Sequence, residues 1–313
     1  MTPPRISIPQ AESLVNDQLS LNASHLESLR PGAWSTAISF EADGGRFVIR
    51  FSEHEDDFAR DEFAARFSAP SLPIPRVTHR GITDGVHYAI SERVAGGFLD
   101  NADSTTFRAL LPSLLRTLDA MRVADTSTTT GYGSWDTHGN GMYASWPDCL
   151  ARTVEDSPDF RGGSWRAKLE SSPTGASAFD RDVPVFKKLL ADIPNLRHVL
   201  HSDLINFNAF FQENRISGVI DWGCAMYGDF VYELAWFAFW SPWYPQWHII
   251  DVAEEAHHFY NSVGADLHDF NHRLITYQIH IGLTHQIYNA SIGGWDDLAQ
   301  VTDLTTKLTD KVR

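Results

Sequence analysis

The order of apolar and polar positions changes along the chain, from strand-like runs in the first third to helical runs afterwards. Residues 34–41 and 46–51 read as strands and flank the turn sequence of residues 42–45, so the sequence predicts a hairpin. Residues 87–94 form a further apolar-rich, strand-like run. Ahead of these strands, residues 8–20 carry apolar side chains at roughly helical spacing. We therefore expect a leading helix packed on a sheet of strands.

Helical patterns dominate from residue 56 onward. Within residues 56–68, Phe58, Phe63 and Phe67 form one apolar stripe, which predicts an amphipathic helix. The dense leucines of residues 105–123 indicate a helix in the core. Three more helix-like runs make up the tail, at residues 248–263, 266–292 and 295–311. A strand-rich part followed by a larger, mainly helical part is the expected organisation.

Composition and charge narrow the class of protein. A hydrophobic content of 43% and a mean hydropathy of -0.25 are typical of a soluble globular chain. No apolar run approaches the ~18 residues of a membrane span, and the first five residues lack the apolar core of a secretion signal. These features predict a cytoplasmic protein. The two cysteines, Cys149 and Cys224, have no metal-ligand spacing and are expected to be free thiols.

The charge balance favours one kind of partner. Twenty-five basic residues against 40 acidic ones give a net charge of -15, which repels nucleic acids and anionic membrane surfaces. The same negative field attracts cationic small molecules. We therefore expect a small cationic substrate, and neither nucleic acid nor membrane as a partner.

The strongest chemical signal lies in residues 200–223. His201 and Asp203 form an H-x-D sequence, Asn208 follows five residues later, and Asp221 ends an apolar run thirteen residues beyond that. Phosphoryl transfer uses such a trio, because one carboxylate accepts the proton of the attacking hydroxyl while an amide and a second carboxylate hold magnesium. Each residue alone would be an ordinary loop or cap residue. Together they predict Asp203 as the catalytic base, with Asn208 and Asp221 as metal ligands.

The spacing of the trio has a structural reason. Residues 207–212 and 216–220 read as two short strands joined by the polar turn of residues 213–215, so they predict a second hairpin. That hairpin would bring Asn208, at its start, beside Asp221, at its end. We expect Asp203 on the loop immediately before it.

With these motifs in place, the chain resembles the aminoglycoside phosphotransferase family over roughly residues 30 to 290, and most resembles the members that act on hygromycin B. Besides the trio, the segments that carry the likeness are Gly32 to Arg50, Ser71-Leu72-Pro73-Ile74-Pro75, Gly131-Tyr132-Gly133, Gly228-Asp229, Tyr232-Glu233-Leu234-Ala235, Phe239-Trp240 and Pro242-Trp243.

The resemblance implies an α+β, bilobal protein-kinase-like fold. Residues 1–94 would form a small nucleotide-binding lobe with an antiparallel sheet, and residues 95–313 a larger, mainly helical lobe for catalysis and substrate binding. ATP, or GTP as an alternative, and Mg²⁺ would lie between the lobes. The implied reaction is phosphorylation of a hydroxyl on an aminocyclitol or aminoglycoside antibiotic, with hygromycin B as the expected substrate, by a monomeric enzyme.

Several first-lobe residues are implied nucleotide contacts. Ser35 and Thr36 of the loop at residues 32–36 would contact phosphate, although its single glycine makes this a weak motif by itself. Arg50 stands where protein kinases have a phosphate-binding lysine. It would pair with Asp61 or Glu62 on the next helix, and we expect Glu62 because its side chain is longer.

The lobe connection and the substrate side complete the expected site. Glu92 and Val94 would offer main-chain groups to the purine. Seven aromatic residues lie in residues 236–247. Within that segment Trp240 and Trp243 are expected to stack on sugar rings and attract ammonium groups. The remaining candidate substrate residues, for which structural roles are the alternative, are Asp229 and Glu233.

Two other functions stay open at this level. The same trio would serve a kinase for another amine-bearing alcohol, such as choline, homoserine or a macrolide sugar. A catalytically silent nucleotide-binding module is the second alternative, motivated only by arginine at position 50 in place of lysine.

Overall fold

The computed structural model describes residues 3–30, 32, 34–156, 165–247 and 250–313. Ala33 of the expected phosphate loop and the first two residues of the expected helix at 248–263 lie outside these ranges.

A five-stranded antiparallel sheet organises the first third of the chain, in the order β1-β2-β3-β5-β4. Its hairpins turn at Asp43-Gly44 and Asp84-Gly85, where all four residues have positive φ, the geometry that a two-residue turn between twisted strands requires. The predicted hairpin is thereby confirmed. The strands are β1 (Ser24–Ser28), β2 (Ser35–Ala42), β3 (Gly45–Ser52), β4 (Val77–Thr83) and β5 (Val86–Glu92).

One face of this sheet is covered by the leading helix. The helix α1 (Ile8–Ser13) continues as a π-helical turn (Leu14–Gln18), close to the predicted range. Its Ala11 and Val15 pack against Ile38 and Ile49 of the sheet, and this cluster is almost completely buried. The second helix, α2 (Glu55–Ala64), lies between β3 and β4 in the chain and confirms the helix expected at residues 56–68.

The rest of the described chain is mainly helical. The predicted core helix is present as α3, with Leu110, Leu114 and Leu118 buried, and the three predicted tail helices are confirmed as α8, α9 and α10. The helices are α3 (Ser104–Arg122), α4 (Trp146–Arg152), α5 (Trp165–Glu170), α6 (Ser177–Leu189), α7 (Val231–Trp240), α8 (Val252–Ser262), α9 (Phe270–Ile292) and α10 (Trp295–Asp310).

Two small sheets lie among these helices and carry the chemical motif. One has the strand order β11-β10-β6 and the other β8-β7-β12-β9. The strands are β6 (Gly97–Phe98), β7 (Tyr132–Trp135), β8 (Gly141–Tyr143), β9 (His198–Leu200), β10 (Ala209–Gln212), β11 (Arg215–Val219) and β12 (Met226–Gly228). The hairpin predicted around residues 207–220 is β10–β11, and the predicted trio lies in the loops at its ends.

Two further observations bear on the expected class. Among the described residues, no helix combines the length and apolar character needed to cross a membrane. Cys149 and Cys224 are both free thiols.

Candidate active site

The loop between β9 and β10 holds Asp203 in place through a neutral histidine. The Nε2–H of His201 donates to the carbonyl oxygen of Ile220 at 2.8 Å, and its Nδ1 accepts from the backbone N–H of Asp203 at 3.3 Å. Because a carbonyl can only accept, the tautomer is determined. Burial lowers the pKa of His201 to about 4, so the ring is uncharged. The histidine thus ties the Asp203 loop to the end of β11.

Asn208 connects Asp203 to the segment that follows β11. Its Nδ2 donates to the backbone oxygen of Asp203 at 2.8 Å and to the Oδ2 atom of that residue at 3.3 Å. Its own backbone oxygen accepts from the N–H of Ile220 at 2.9 Å. The hairpin therefore bonds Asn208 to Ile220, the residue immediately before its predicted neighbour Asp221. Since Nδ2 is used, Oδ1 is the Asn208 atom that could bind a cation.

Several loop residues at this site adopt left-handed backbone conformations that are unusual for residues other than glycine. Ser202 has φ 56°, Phe207 has φ 65° and Asp221 has φ 61°. Such conformations cost about 1–3 kcal/mol each and concentrate at functional sites. Here they flank Asp203 and Asn208, so the chain bears local strain to hold the trio.

The site is short of positive charge. Desolvation, followed by the charge of Asp221, raises the pKa of Asp203 well above its usual range. Desolvation also raises the pKa of Asp221, although its side chain is 51% exposed and the charge of Arg50 acts in the opposite direction. Two carboxylates that are both hard to ionise favour a bound cation, because a cation would stabilise their charged forms.

Arg50 does pair with an acidic residue on α2, but the residue is Asp61. One guanidinium nitrogen of Arg50 contacts Asp61 Oδ2, and the other lies 4.0 Å from Asp221 Oδ1. The expected Glu62 pairing is therefore wrong. Glu62 is exposed and pairs with Arg80 at 3.0 Å, because adjacent helical residues point about 100° apart and α2 docks on the Asp61 side.

The two hydroxyl candidates at the start of β2 lie on opposite faces of the sheet. Thr36 shares the face of Ile38, which packs against α1, and its hydroxyl donates to the carbonyl oxygen of Pro4. The prediction that Thr36 contacts phosphate is therefore wrong, since its side chain faces away from Arg50. Arg50 pairs across the hairpin with Ala37. Ser35 is two positions before Ala37 and points to the same face of the sheet, so it shares the face of Arg50.

The expected lobe connection follows β5. The N–H of Glu92 donates to the carbonyl oxygen of Arg76 at 3.2 Å, so Glu92 could offer a ligand only its carbonyl. The side chain of Val94 packs so closely on Gly218 of β11 that a Cβ there would collide with it. The connection therefore runs beside the strand that leads to Asp221.

Asp229 is a structural residue, and the expectation that it binds substrate is wrong. It is completely buried, and its carboxylate accepts from the Nη2 and Nε atoms of Arg273 at 2.6 and 2.7 Å and from the hydroxyl of Tyr277 at 2.7 Å. Arg273 is itself only 1% exposed. Such a bidentate pair joins the start of α7 to α9 and leaves no free face for a substrate.

Glu233 also points inward, so the expectation that it contacts substrate is wrong. It is 2% exposed, and its Oε1 accepts from the N–H of Ser202 at 2.7 Å. Among the described residues its Oε2 has no hydrogen-bond partner. Burial raises the pKa of Glu233 to about 7. Glu233 therefore holds the backbone of Ser202, the residue immediately before Asp203.

Trp240 and Trp243 lie at the end of α7 and just beyond it. Trp240 ends α7, and Trp243 lies in the 3₁₀ turn that follows. Both are half-buried, and their rings meet edge to face with centroids 4.9 Å apart. Such a pair is open enough to offer aromatic surface to a ligand.

The sequence reasoning missed one residue that holds the catalytic loop. Asp100 is 6% exposed and accepts from the backbone N–H of Phe207 at 3.0 Å and from the hydroxyl of Tyr244 at 2.8 Å. It thereby links the loop after Asp203 to the aromatic segment. The only sign of this role in the sequence is that Asp100 is an acidic residue directly after the apolar pair Phe98-Leu99.

The donor atoms of the trio suit a hard divalent cation. Asn208 Oδ1 and the Asp221 carboxylate are oxygen ligands, which Mg²⁺ prefers. In the ranges that the structure describes, no cluster of three or more His, Cys, Asp and Glu side chains could hold a metal by itself. Phosphoryl-transfer sites usually bind Mg²⁺ through one or two side chains together with substrate phosphates.

The sheet order, the Arg50–Asp61 pair and the trio define a kinase-like phosphotransferase. Residues 25–266 match the model of the phosphotransferase enzyme family, and the chain belongs to that family. It is 30% identical over 302 residues to hygromycin-B 4-O-kinase of Escherichia coli, covering 96% of this chain and 84% of that protein.

Solved structures agree with this assignment. A thermostable mutant of aminoglycoside phosphotransferase APH(4)-Ia, in a ternary complex with AMP-PNP and hygromycin B, is 27% identical with a TM-score of 0.83 and covers 96% of this chain and 97% of its own. A putative fructosamine-3-kinase from Haemophilus somnus 129PT shares only the fold, with 15% identity, a TM-score of 0.64 and 96% of both chains covered. The expected α+β, kinase-like fold class is confirmed.

Proposed function

We propose that this phosphotransferase moves the terminal phosphoryl group of ATP to one hydroxyl of hygromycin B and so confers resistance to that antibiotic. The observation that carries the proposal is the Asn208 side chain bonded to Asp203, next to the end of β11, which lies two residues before Asp221 along the chain. The E. coli relative named for this substrate, and the similar structure that holds both hygromycin B and a nucleotide, support the choice of acceptor.

The chemistry assigned to the trio follows from its geometry. Asp203 accepts the proton of the acceptor hydroxyl as its oxygen attacks the phosphorus atom in line. Asn208 Oδ1 and Asp221 would hold Mg²⁺, which would offset charge on the phosphate oxygens. Because Nδ2 of Asn208 also donates to Asp203 Oδ2, one side chain orients both the base and the metal site.

The nucleotide belongs on the sheet side in this proposal. Arg50 would contact phosphate oxygens while Asp61 holds its guanidinium, and Ser35 would approach the phosphates from the same face of the sheet. The Glu92 carbonyl and the main chain of Val94 would meet the purine edge. We propose that residues 1–94 form this nucleotide-binding lobe and residues 95–313 the catalytic and acceptor-binding lobe.

The acceptor belongs on the helical side. A net charge of -15 and the carboxylates of Asp203 and Asp221 favour a polycationic ligand. Trp240 and Trp243 would stack on its rings. Since one chain contains both nucleotide-side and acceptor-side residues, we propose that it acts as a monomer, in the cytoplasm where ATP is supplied.

The test is a direct acceptor comparison. Purified protein, ATP and Mg²⁺ are incubated separately with hygromycin B, kanamycin, choline and homoserine, and phosphate transfer is followed by ³¹P NMR, which also locates the modified oxygen. We expect transfer to hygromycin B, and a kcat about 10²- to 10⁴-fold lower for Asp203→Asn. Higher kcat/KM on choline or homoserine would overturn the acceptor assignment. Nucleotide binding without transfer to any acceptor would indicate a silent module instead.

A further inference from the structure

The helix α9 contributes a wall of ring side chains next to the aromatic pair already described. The His285 ring lies 4.7 Å from Trp240 and 5.2 Å from Trp236, both edge to face, and Tyr288 follows with its ring centroid 6.3 Å from that of His285. Trp243 extends the wall at the other end through its contact with Trp240. Because three of these residues are on α7 or the turn after it and two are on α9, the wall spans two packed helices.

His285 presents an acceptor atom from this wall. Its Nδ1–H donates to the carbonyl oxygen of Ile281, one turn earlier, at 2.8 Å, so Nε2 carries the lone pair in the neutral ring. Desolvation lowers the pKa of His285 to about 4, and the ring is therefore neutral under physiological conditions. The half-buried imidazole can accept a hydrogen bond from an ammonium group through Nε2.

Tyr288 continues the wall along α9, one turn beyond His285. It is 37% exposed, and desolvation, followed by the charge of Asp203, raises the pKa of its hydroxyl. The phenol therefore stays protonated, and its hydroxyl can donate a hydrogen bond to an oxygen of a bound sugar.

The same wall contains unusual unpaired donors. The indole N–H groups of Trp236 and Trp240 are buried, and in the part of the chain that the structure describes they have no hydrogen-bond partner. Buried donors of this kind cost about 1–3 kcal/mol each, so the packing of the aromatic wall is maintained against that cost.

We propose that His285 and Tyr288 form the acceptor subsite on α9, where Nε2 of His285 accepts from an ammonium group of the sugar and the Tyr288 hydroxyl bonds to the ring oxygen functions beside Asp203. The inference rests on the proposed function and specifies how that site selects amine-bearing rings. The sugar ring lies between this wall and Asp203, with its apolar face on Trp240.

The test compares steady-state kinetics of Tyr288→Phe and His285→Phe with wild type on hygromycin B and ATP. Each change keeps an aromatic ring in the wall and removes the polar atom assigned to the sugar. We expect the KM for hygromycin B to rise about tenfold in each variant, while ADP affinity, measured on the same proteins as a check of folding, stays within about twofold. The matched controls are Tyr143→Phe on β8 and His258→Phe on the exposed side of α8, for which we expect no change in either constant.

A second measurement separates the ammonium contact from a structural effect. Wild type should discriminate against hygromycin B with its amines acetylated. His285→Phe should lose part of that discrimination, because phenylalanine has no nitrogen to accept a hydrogen bond from the ammonium group. Unchanged KM values in both variants, with wild type active, would overturn the subsite and leave the proposed function standing. A wild-type protein that phosphorylates no amine-bearing sugar would overturn both.

Discussion

Asp61 Oδ1 accepts a hydrogen bond of 2.7 Å from the backbone N–H of Trp222, the residue immediately after Asp221. The other oxygen of the same carboxylate binds Arg50. One buried side chain on α2 therefore connects the sheet to the loop that carries the expected metal ligand. Arg60, one position earlier, supports the connection by donating to the carbonyl oxygen of Gly223 at 3.0 Å. The position of α2 is thus coupled to the geometry of the active site.

This coupling predicts that Asp61→Asn is strongly destabilising. The change leaves Arg50, only 16% exposed in its side chain, without its main counter-charge, and breaking a buried pair costs about 3–5 kcal/mol. We also expect a higher KM for ATP. Urea unfolding followed by tryptophan fluorescence measures the stability change. Glu62→Gln is the matched control, since its pair with Arg80 is exposed and contributes at most about 1 kcal/mol; equal losses in the two variants would contradict the assignment.

Asp229→Asn separates a structural role from substrate binding. Because Asp229 is completely buried with Arg273, we expect a loss of about 3–5 kcal/mol in the free energy of unfolding. The KM for hygromycin B, measured at a temperature where the variant is folded, should stay within about twofold of wild type. Normal stability together with a raised KM would restore a substrate-binding role for this residue.

Glu233 should make stability depend on pH in a recognisable direction. Its pKa in the folded protein is raised to about 7 from an ordinary value of 4.5, so the protonated form is favoured on folding. The stabilisation is complete below pH 4.5 and is lost as pH rises through 7.

The matched variant is Glu233→Gln, which keeps an oxygen to accept from Ser202 but cannot ionise. We expect the unfolding free energy of wild type to fall relative to the variant by up to about 3 kcal/mol between pH 5 and pH 8. Chemical unfolding at each pH measures the difference. A difference that does not change with pH would mean that Glu233 is ionised throughout.

Asn208→Ala tests the assigned cation ligand. Removing Oδ1 should raise the Mg²⁺ concentration for half-maximal activity by at least about tenfold, the lower end of the effect seen even for residues behind a metal ligand. The loss of Nδ2 should also lower kcat, because Asp203 loses a donor. The control is Asn214→Ala, an exposed residue in the turn at the far end of the same hairpin. An unchanged Mg²⁺ dependence would rule out Asn208 as a ligand.

The elements predicted best were those with local causes. The Asp43-Gly44 turn of the first sheet and the leucine-rich α3 depend on residues a few positions apart, so their patterns are legible in one stretch of sequence. The strand β1 was not predicted. Its residues are mostly exposed, and it is a strand because it pairs with the edge of β2, a contact that its own sequence does not encode in a periodic pattern.

The sequence by itself determined the trio, because Asp203, Asn208 and Asp221 are joined by one short hairpin whose turn and strands follow local rules. Only the tertiary structure decided which neighbouring acidic residues serve the site. Asp61 rather than Glu62 meets Arg50, while Asp229 and Glu233 point into the core. The spacing of two residues along a helix specifies the angle between their side chains. Which of them faces the site depends on how the helix docks against distant parts of the chain.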